Sequence, residues 1–339
     1  MNTVIAKAPL RLGLSGGGTD LEPYCSTYGG VVLSATIDQY AYCKVEPNNN
    51  WIFKSIDLGI EEKFEFFPDN YDKNHPLKLL INTYLYLLPK SSIKTAVKIT
   101  TYCETPPGSG LGSSSAIVVS LIAALAEYLN VPMGDYDIAK TAFEIERNIC
   151  DLPGGKQDQF AAVFGGFNYI EFLKNGQTIV NPLRLSYKIQ NMLEMNTILY
   201  YVGKPRKSAK VIETNINNLK SNFKSIQATH DIKKTCEDFK IKLLTGDVKG
   251  ISKLMNDYWN LKLKTSDKIG TEELFEVYNF VLNNGANSAK ISGAGGGGHM
   301  ILFTEFENRH RLISSLNNRN TGKIVPFKFI NNGVNVWRE

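Results

Sequence analysis

Cysteine is scarce and patternless in this chain. The five in 339 residues, Cys25, Cys43, Cys103, Cys150 and Cys236, are odd in number and show no paired spacing. That excludes a disulfide framework and a zinc-binding set, and it suits a reducing compartment. Long apolar runs are missing too. The longest, Ile117 to Leu129, is broken by Ser120 and Glu127 and is too short and too polar to span a bilayer. Asn2 to Pro9 holds no apolar core of a secretory signal. A soluble, cytoplasmic protein without a membrane partner is expected. Charge of one sign is also in short supply. The net charge is +5 at pH 7, with lysines scattered and many of them in 204–268. A solvated surface accounts for them better than a nucleic-acid footprint, and a mildly positive field suits anionic substrates. There is no internal repeat and no long disordered tract.

What is present suffices for a full core, with 43% hydrophobic and 21% charged residues. The length fits two domains or one large one. Composition shifts near 175–185, which places domains at 1–182 and 183–339. Strand signals run over Thr3–Leu14, Val31–Glu46, Trp51–Phe67, Ala96–Thr105, Phe167–Phe172, Ala289–Ser292, His299–Phe303 and Lys323–Phe329. Helical spacing covers Lys78–Leu88, Ser114–Leu129, Tyr136–Ile149 and Thr271–Leu282, with a short helix near Gln159–Val163. Ser114–Leu129 is apolar nearly all round and therefore buried. Tyr136–Ile149 carries the stripe Ile138, Ala142, Ile145 and Ile149, with Asp135 or Asp137 as its cap. Segment 204–270 is polar with periodic apolar residues, which predicts long amphipathic helices. Strands and helices mix without a strict βαβ rhythm, so the expected class is α+β.

Three glycine-rich segments stand at the ends of expected strands: 15–20, 106–116 and 293–298. One such cluster alone reads as a flexible turn. Three are harder to dismiss, because loops from separate regions can converge on one cleft. In the middle segment, glycines let the backbone curl and let a ligand approach it. Serines then open a helix whose unpaired N–H groups and dipole favour an anion. Pro107, Gly108, Ser109, Gly110, Leu111, Gly112, Ser113, Ser114 and Ser115 are therefore the candidate phosphate cradle, and the hydroxyls can reach a metal ion. A Walker A loop is excluded, since 106–116 holds no lysine. A dinucleotide fingerprint fails because position 113 is serine and the nearby acid, Glu127, lies within the helix.

Together the segments Pro9-Leu10-Arg11-Leu12-Gly13-Leu14-Ser15-Gly16-Gly17-Gly18-Thr19-Asp20, Pro107-Gly108-Ser109-Gly110-Leu111-Gly112-Ser113-Ser114-Ser115-Ala116 and Lys290-Ile291-Ser292-Gly293-Ala294-Gly295-Gly296-Gly297-Gly298 resemble the three signature motifs of the GHMP small-molecule kinases. They occur in that family's order and at its spacing. The resemblance implies an N-terminal domain like ribosomal protein S5 domain 2, a ferredoxin-like C-terminal domain, and ATP bound between them.

By the same resemblance, Ser114 and Glu146 are the Mg²⁺ ligands, with Ser113 and Ser115 as rivals of Ser114. Magnesium prefers such hard oxygen ligands and needs only one or two from the protein. Glu144 and Glu146 lie two apart on a helix, so only one faces the cleft. Asp158, in Gly154-Gly155-Lys156-Gln157-Asp158-Gln159, matches the aspartate that takes the proton of the attacking hydroxyl in galactokinase-like relatives. Arg11 stands where galactokinase has arginine and mevalonate kinase lysine, and its guanidinium suits both an ion pair with Asp158 and charge on the transferring group. Asp20 resembles the Thr-Asp of the galactokinase signature, and a carboxylate can accept two neighbouring sugar hydroxyls. Gly17 and Gly18 replace bulkier residues of that signature and leave room beside a sugar. Gly295 and Gly296, in the third loop, would complete the cleft wall. His299 reads as structural. Lys204, Arg206 and Lys207 cluster in a probable loop, from which Arg206 and Lys207 are candidates for a second phosphate on the substrate. Trp51 and its neighbours suit either the adenine or the core.

The expected function is thus that of an ATP- and Mg²⁺-dependent sugar kinase. Gly-Gly-Gly-Thr-Asp-Leu, Gly-Gly-Lys-Gln-Asp-Gln and the basic loop look most like the branch of the family acting on D-glycero-D-manno-heptose 7-phosphate. That likeness implies phosphorylation of the anomeric hydroxyl to the 1,7-bisphosphate in GDP-heptose synthesis. A kinase of fucose or galactose is the enzymatic alternative, and a non-catalytic nucleotide- or sugar-binding protein is the alternative of another class. No motif decides between a monomer and a homodimer.

Overall fold

The computed structural model describes residues 2–66, 71–92, 95–203 and 208–339. Its strands are β1 (Val4–Ser15), β2 (Gly30–Pro47), β3 (Trp51–Ser55), β4 (Ile60–Phe64), β5 (Val97–Cys103), β6 (Phe167–Phe172), β7 (Thr178–Pro182), β8 (Thr197–Tyr201), β9 (Ser288–Ile291), β10 (His299–Phe303), β11 (Lys323–Val325) and β12 (Asn335–Arg338). Its helices are α1 (Tyr24–Tyr28), α2 (Lys78–Leu87), α3 (Ser113–Tyr128), α4 (Asp135–Phe143), α5 (Gln157–Phe164), α6 (Tyr187–Asn196), α7 (Ser208–Ser221), α8 (Phe223–Thr245), α9 (Val248–Leu263), α10 (Glu272–Asn283) and α11 (Phe306–Asn317). The α+β expectation holds: helices and two separate sheets are mixed without a repeating unit.

The first sheet runs β12-β1-β2-β5-β3-β4, with β6 on the upper half of β2 and β7 beyond it. The single long strand β2 makes this possible. Its half Gly30–Ala35 pairs with Phe167–Phe172, and its half Ala41–Pro47 pairs with β5. A register shift between Pro9 and Leu10 bends β1 along it. One face is covered by α3, whose Ala116, Val119, Ile122 and Leu125 are buried against β1 and β2. This is the all-round apolar helix expected from sequence, and such helices belong inside.

The second sheet has the order β11-β8-β10-β9, antiparallel throughout. Numbered within this half it reads 4-1-3-2, the ferredoxin-like arrangement. Ile198, Tyr200, Met300 and Leu302 point to a second core with Val277, Val281 and Leu312. The chain then returns, and β12 pairs with β1 in the first sheet.

Several elements differ in detail from the sequence reading. Helix α4 is capped by Gly134, not by an aspartate, and Asp137 Oδ2 accepts the Gly134 N–H at 3.0 Å. The expected single helix to Ile149 widens into a π-helical turn over Glu144–Ile149. The closing strand is shorter than Lys323–Phe329, and Phe329 makes only a lone bridge to Ile37. Trp51 Nε1 donates to the Tyr84 hydroxyl at 3.0 Å and the ring packs on the main core, so it serves the core. All five cysteines are buried and free. No helix among the described residues is long and apolar enough to cross a membrane.

Candidate active site

Helix α3 starts without a side-chain cap. Gly112 stands at its cap position with φ +79°, and no side chain accepts from the first turn. Helices α6, α8, α9 and α10 are instead capped by Ser186, Asn222, Asp247 and Thr271. The first-turn N–H groups of α3 are therefore open to an anion. They border a cleft lined by Pro107, Gly108, Gly110, Gly112, Ser113 and Ser114. Ser109, Leu111 and Ser115, also read as cradle residues, turn inward and are fully buried. The Ser109 carbonyl accepts from the backbone and Nδ1 of His299 at 3.0 and 2.8 Å, which makes His299 structural as expected.

Three distant segments meet at Gly110. Arg11 Nη1 donates to its carbonyl at 2.7 Å, and Ser292 Oγ donates to the same oxygen at 2.8 Å. A β-carbon on Gly110 would lie 2.5 Å from the Ser292 carbonyl, so only glycine allows this approach. The third glycine loop thus packs backbone to backbone on the second. Within it, Gly293 and Ala294 line the cleft. Gly295 and Gly296, expected there, face Ile269 and Val211 instead, because the loop turns back toward its own sheet after Ala294.

Arg11 also grips Asp158. Its Nε and Nη2 donate to Oδ1 at 2.8 and 2.6 Å. Asp158 lies in the first turn of α5 and is not the cap, a place held by Lys156. Arg11, Asp158, Arg147, Ile212, Gly293 and Ala294 line both the cleft at the start of α3 and a second pocket. The Arg11–Asp158 pair therefore stands at the junction.

That second pocket is lined by Gly17, Gly18 and Asp20 from the first glycine loop. Thr19 fixes the loop, its hydroxyl donating toward the Gly16 and Val31 carbonyls. Asp20 is buried, and its oxygens accept from the Gly18 N–H, the Gln157 N–H and Gln157 Nε2 at 3.1 to 3.2 Å. The carboxylate thus positions the loop after the Pro-Gly-Gly break as well as lining the pocket. Lys262 and Lys290 line it too. Burial pushes the Lys262 ammonium down to about 8. Burial, with Arg11 and Lys262 nearby, pushes Lys290 down to about 7.

Glu146 is wholly buried in the π-helical turn, whereas Glu144 bonds to Asn148 at the surface. Glu146 Oε1 accepts from Ser114 Oγ at 2.6 Å, and Oε2 accepts from Ser115 Oγ at 2.7 Å and Gln159 Nε2 at 2.6 Å. Arg147 Nη1 lies 3.1 Å from Oε1. Of the three serines, Ser114 alone is exposed on the cleft. A hydroxyl and a carboxylate at contact distance match the hard donors Mg²⁺ takes, and no larger acidic or histidine cluster competes among the described residues.

Sequence reasoning missed several lining residues. Asp57, Leu58, Leu79 and Leu80 form a partly apolar wing of the cleft at the start of α3. Asp57 Oδ1 accepts the Cys103 N–H at 2.9 Å, and burial raises its carboxyl. Arg147 and Gln157 adjoin Glu146 and Asp158, a signal that went unused. Lys262 and Asn215 carry no local signal, being two polar residues in lysine- and asparagine-rich helices. Arg206 and Lys207 lie outside the described residues.

Comparison with known proteins bears on this geometry. A family model described as "GHMP kinases N terminal domain" matches residues 78–166, and one described as "GHMP kinases C terminal" matches residues 239–321. The chain is 39% identical over 342 residues to a D-glycero-alpha-D-manno-heptose 7-phosphate kinase of Campylobacter jejuni subsp. jejuni serotype O:2, covering 100% of each. It resembles the crystal structure of a D-glycero-D-manno-heptose 1-phosphate kinase from Bacteriodes thetaiotaomicron with a TM-score of 0.83 and 36% identity, covering 98% of each chain. Lactococcus lactis galactokinase complexed with galactose shares the fold at 16% identity, with a TM-score of 0.77 over 98% of this chain and 95% of that one.

Proposed function

The chain belongs to the GHMP kinases, and on that premise we propose that it phosphorylates the anomeric hydroxyl of D-glycero-D-manno-heptose 7-phosphate to the 1,7-bisphosphate. Membership of that family makes it a phosphotransferase with an alcohol acceptor that uses ATP, and the full-length identity to a heptose phosphate kinase makes it a sugar kinase. The heptose assignment is supported by the 39% identity over the whole chain to a heptose 7-phosphate kinase. The observation that carries the mechanism is the Arg11–Asp158 pair at the junction of the two pockets.

The nucleotide phosphates would lie along Gly108–Ser114 at the uncapped start of α3, with the base toward Leu58, Leu79 and Leu80. Mg²⁺ would be held by Ser114 and Glu146, where it supplies positive charge against the phosphates. Asp158 Oδ1 holds both Arg11 donors, which leaves Oδ2 to orient the anomeric hydroxyl and take its proton. Arg11 Nη1 stays anchored on Gly110, so the guanidinium offers fixed positive charge beside the transferring group. Asp20 and Gln157 would meet the sugar hydroxyls, with Gly17 and Gly18 leaving space for the ring. Arg206 and Lys207 directly precede α7, whose Ile212 and Asn215 line the acceptor pocket, and they are candidates for its distal phosphate. The domains would divide near 182, with GDP-heptose synthesis in the cytoplasm as the setting.

ATP consumption with heptose 7-phosphate, heptose 1-phosphate, fucose and galactose tests the assignment, with the product examined by ³¹P NMR. A new anomeric phosphate from heptose 7-phosphate is expected. Turnover of heptose 1-phosphate or of the free sugars alone would overturn it.

A further inference from the structure

Three consecutive residues at the start of α5 reach three different parts of the site. Successive side chains leave a helix about 100° apart, so Gln157, Asp158 and Gln159 diverge. Gln157 donates to Asp20 in the acceptor pocket, and Asp158 accepts from Arg11 at the junction. Gln159 turns inward to Glu146 and has no part in the steps assigned to Asp158 and Arg11.

Gln159 and Ser115 are both fully buried, and both donate to one oxygen of the buried Glu146. Gln159 Nε2 lies 2.6 Å and Ser115 Oγ 2.7 Å from Oε2. A carboxylate oxygen has about two lone-pair positions, so those of Oε2 are filled. Being buried, neither donor has solvent to turn to. Oε1 faces Ser114 Oγ at 2.6 Å and Arg147 Nη1 at 3.1 Å. Ser114 is exposed on the cleft, and its hydroxyl can rotate its proton away. Oε1 is therefore the oxygen left to meet a cation beside Ser114. The amide of Gln159 is used on one side only, because its Oε1 is buried with no hydrogen-bond partner among the described residues. An unpaired buried acceptor costs stability that an apolar side chain of the same length would keep. Filling space does not account for a glutamine here, and holding Glu146 does.

Given Ser114 and Glu146 as the metal ligands of the function proposed above, we propose that Gln159, with Ser115, is a positioning residue that fixes Glu146 so that Oε1 alone meets Mg²⁺. Donors that hold a ligating carboxylate in place raise the affinity of the site for its metal. Asp158 adjoins Gln159 in the same helical turn, so the proton acceptor and the metal carboxylate share one mount.

Calorimetry of ATP binding without sugar, in EDTA and in excess Mg²⁺, gives the affinity gained from the metal. It is measured in the parent, Gln159→Met, Ser115→Ala and Glu146→Gln, with Tm as the check on folding. Gln159→Met keeps the length of the side chain and removes the donor. Ser115→Ala removes the other donor with a smaller change, and it decides in place of Gln159→Met if that variant does not fold. In each of these two the gain from Mg²⁺ is expected to fall by about 10-fold, with metal-free ATP affinity unmoved. A gain lost in Glu146→Gln but intact in folded Gln159→Met overturns this proposal alone, whatever the change in Tm. An equal loss of ATP affinity with and without Mg²⁺, as a merely structural role would give, overturns it too. A gain intact in Glu146→Gln, or absent from the parent, overturns the metal assignment and this proposal with it.

Discussion

Arg11 and Asp158 are 147 residues apart and share a 2.6 Å ion pair. Asp158→Asn keeps the shape and removes the proton acceptor. It should lower kcat by about 10² to 10⁴-fold while ATP still binds, as a fluorescent nucleotide titration would show. An undiminished kcat would remove Asp158 from the chemistry. Lys290 gives a second expectation. Its pKa falls from the ordinary 10.5 to about 7 on folding. Between those values the unfolded chain binds more protons, so stability contributed by this site rises with pH. The Tm difference between the parent and Lys290→Met should therefore move in the parent's favour from pH 7 to pH 9. A pH-independent difference would contradict the depressed value. Asp158 could be singled out from the sequence as a candidate because it stands in a short motif that resembles a family's. Lys262 and Asn215 were not, because nothing beside them in the chain marks them.

At the level of elements, the break Pro153-Gly154-Gly155 does more than end a helix. A β-carbon on Gly155 would lie 1.9 Å from Asp20 Oδ2, and one on Gly154 would lie 2.3 Å from the Arg147 guanidinium carbon. The glycines give room to two side chains from elsewhere. Gly155→Ala must push Asp20 and the first glycine loop away from α5. Displacements near 1 Å cost about 10²-fold in rate when they move reacting groups. We expect kcat/KM for the sugar to fall on that scale with KM for ATP held, and equal effects on both substrates would count against the division of the pockets. The π-helical turn was not legible. Tyr136–Ile149 has plain helical spacing, and the widening is imposed where Glu146 is drawn in by Ser114, Ser115 and Gln159.

For the whole molecule, the C-terminal strand closes the first sheet. Residues Asn335–Arg338 pair with Val4–Lys7, and Arg338 Nε donates to Glu127 Oε1 at 2.6 Å. Removing 334–339 strips this edge from β1, the strand that presents Arg11. If the lost strand pairing is worth about 2 kcal/mol net, Tm falls by about 3 °C in a molecule of this size. An unaltered melting curve would show the edge to be dispensable.

Local pattern determined the α+β class and the buried α3, and the resemblance of three contiguous motifs to a family made Arg11, Ser114, Glu146 and Asp158 candidates, because each of these rests on a short stretch of chain. Only the tertiary structure decided that Gly293 and Ala294, and not Gly295 and Gly296, face the cleft. It alone brought Lys262 and Asn215 to Gly18. Those juxtapositions depend on how two sheets and the helices between them pack, and the distance between residues along the chain carries no record of it.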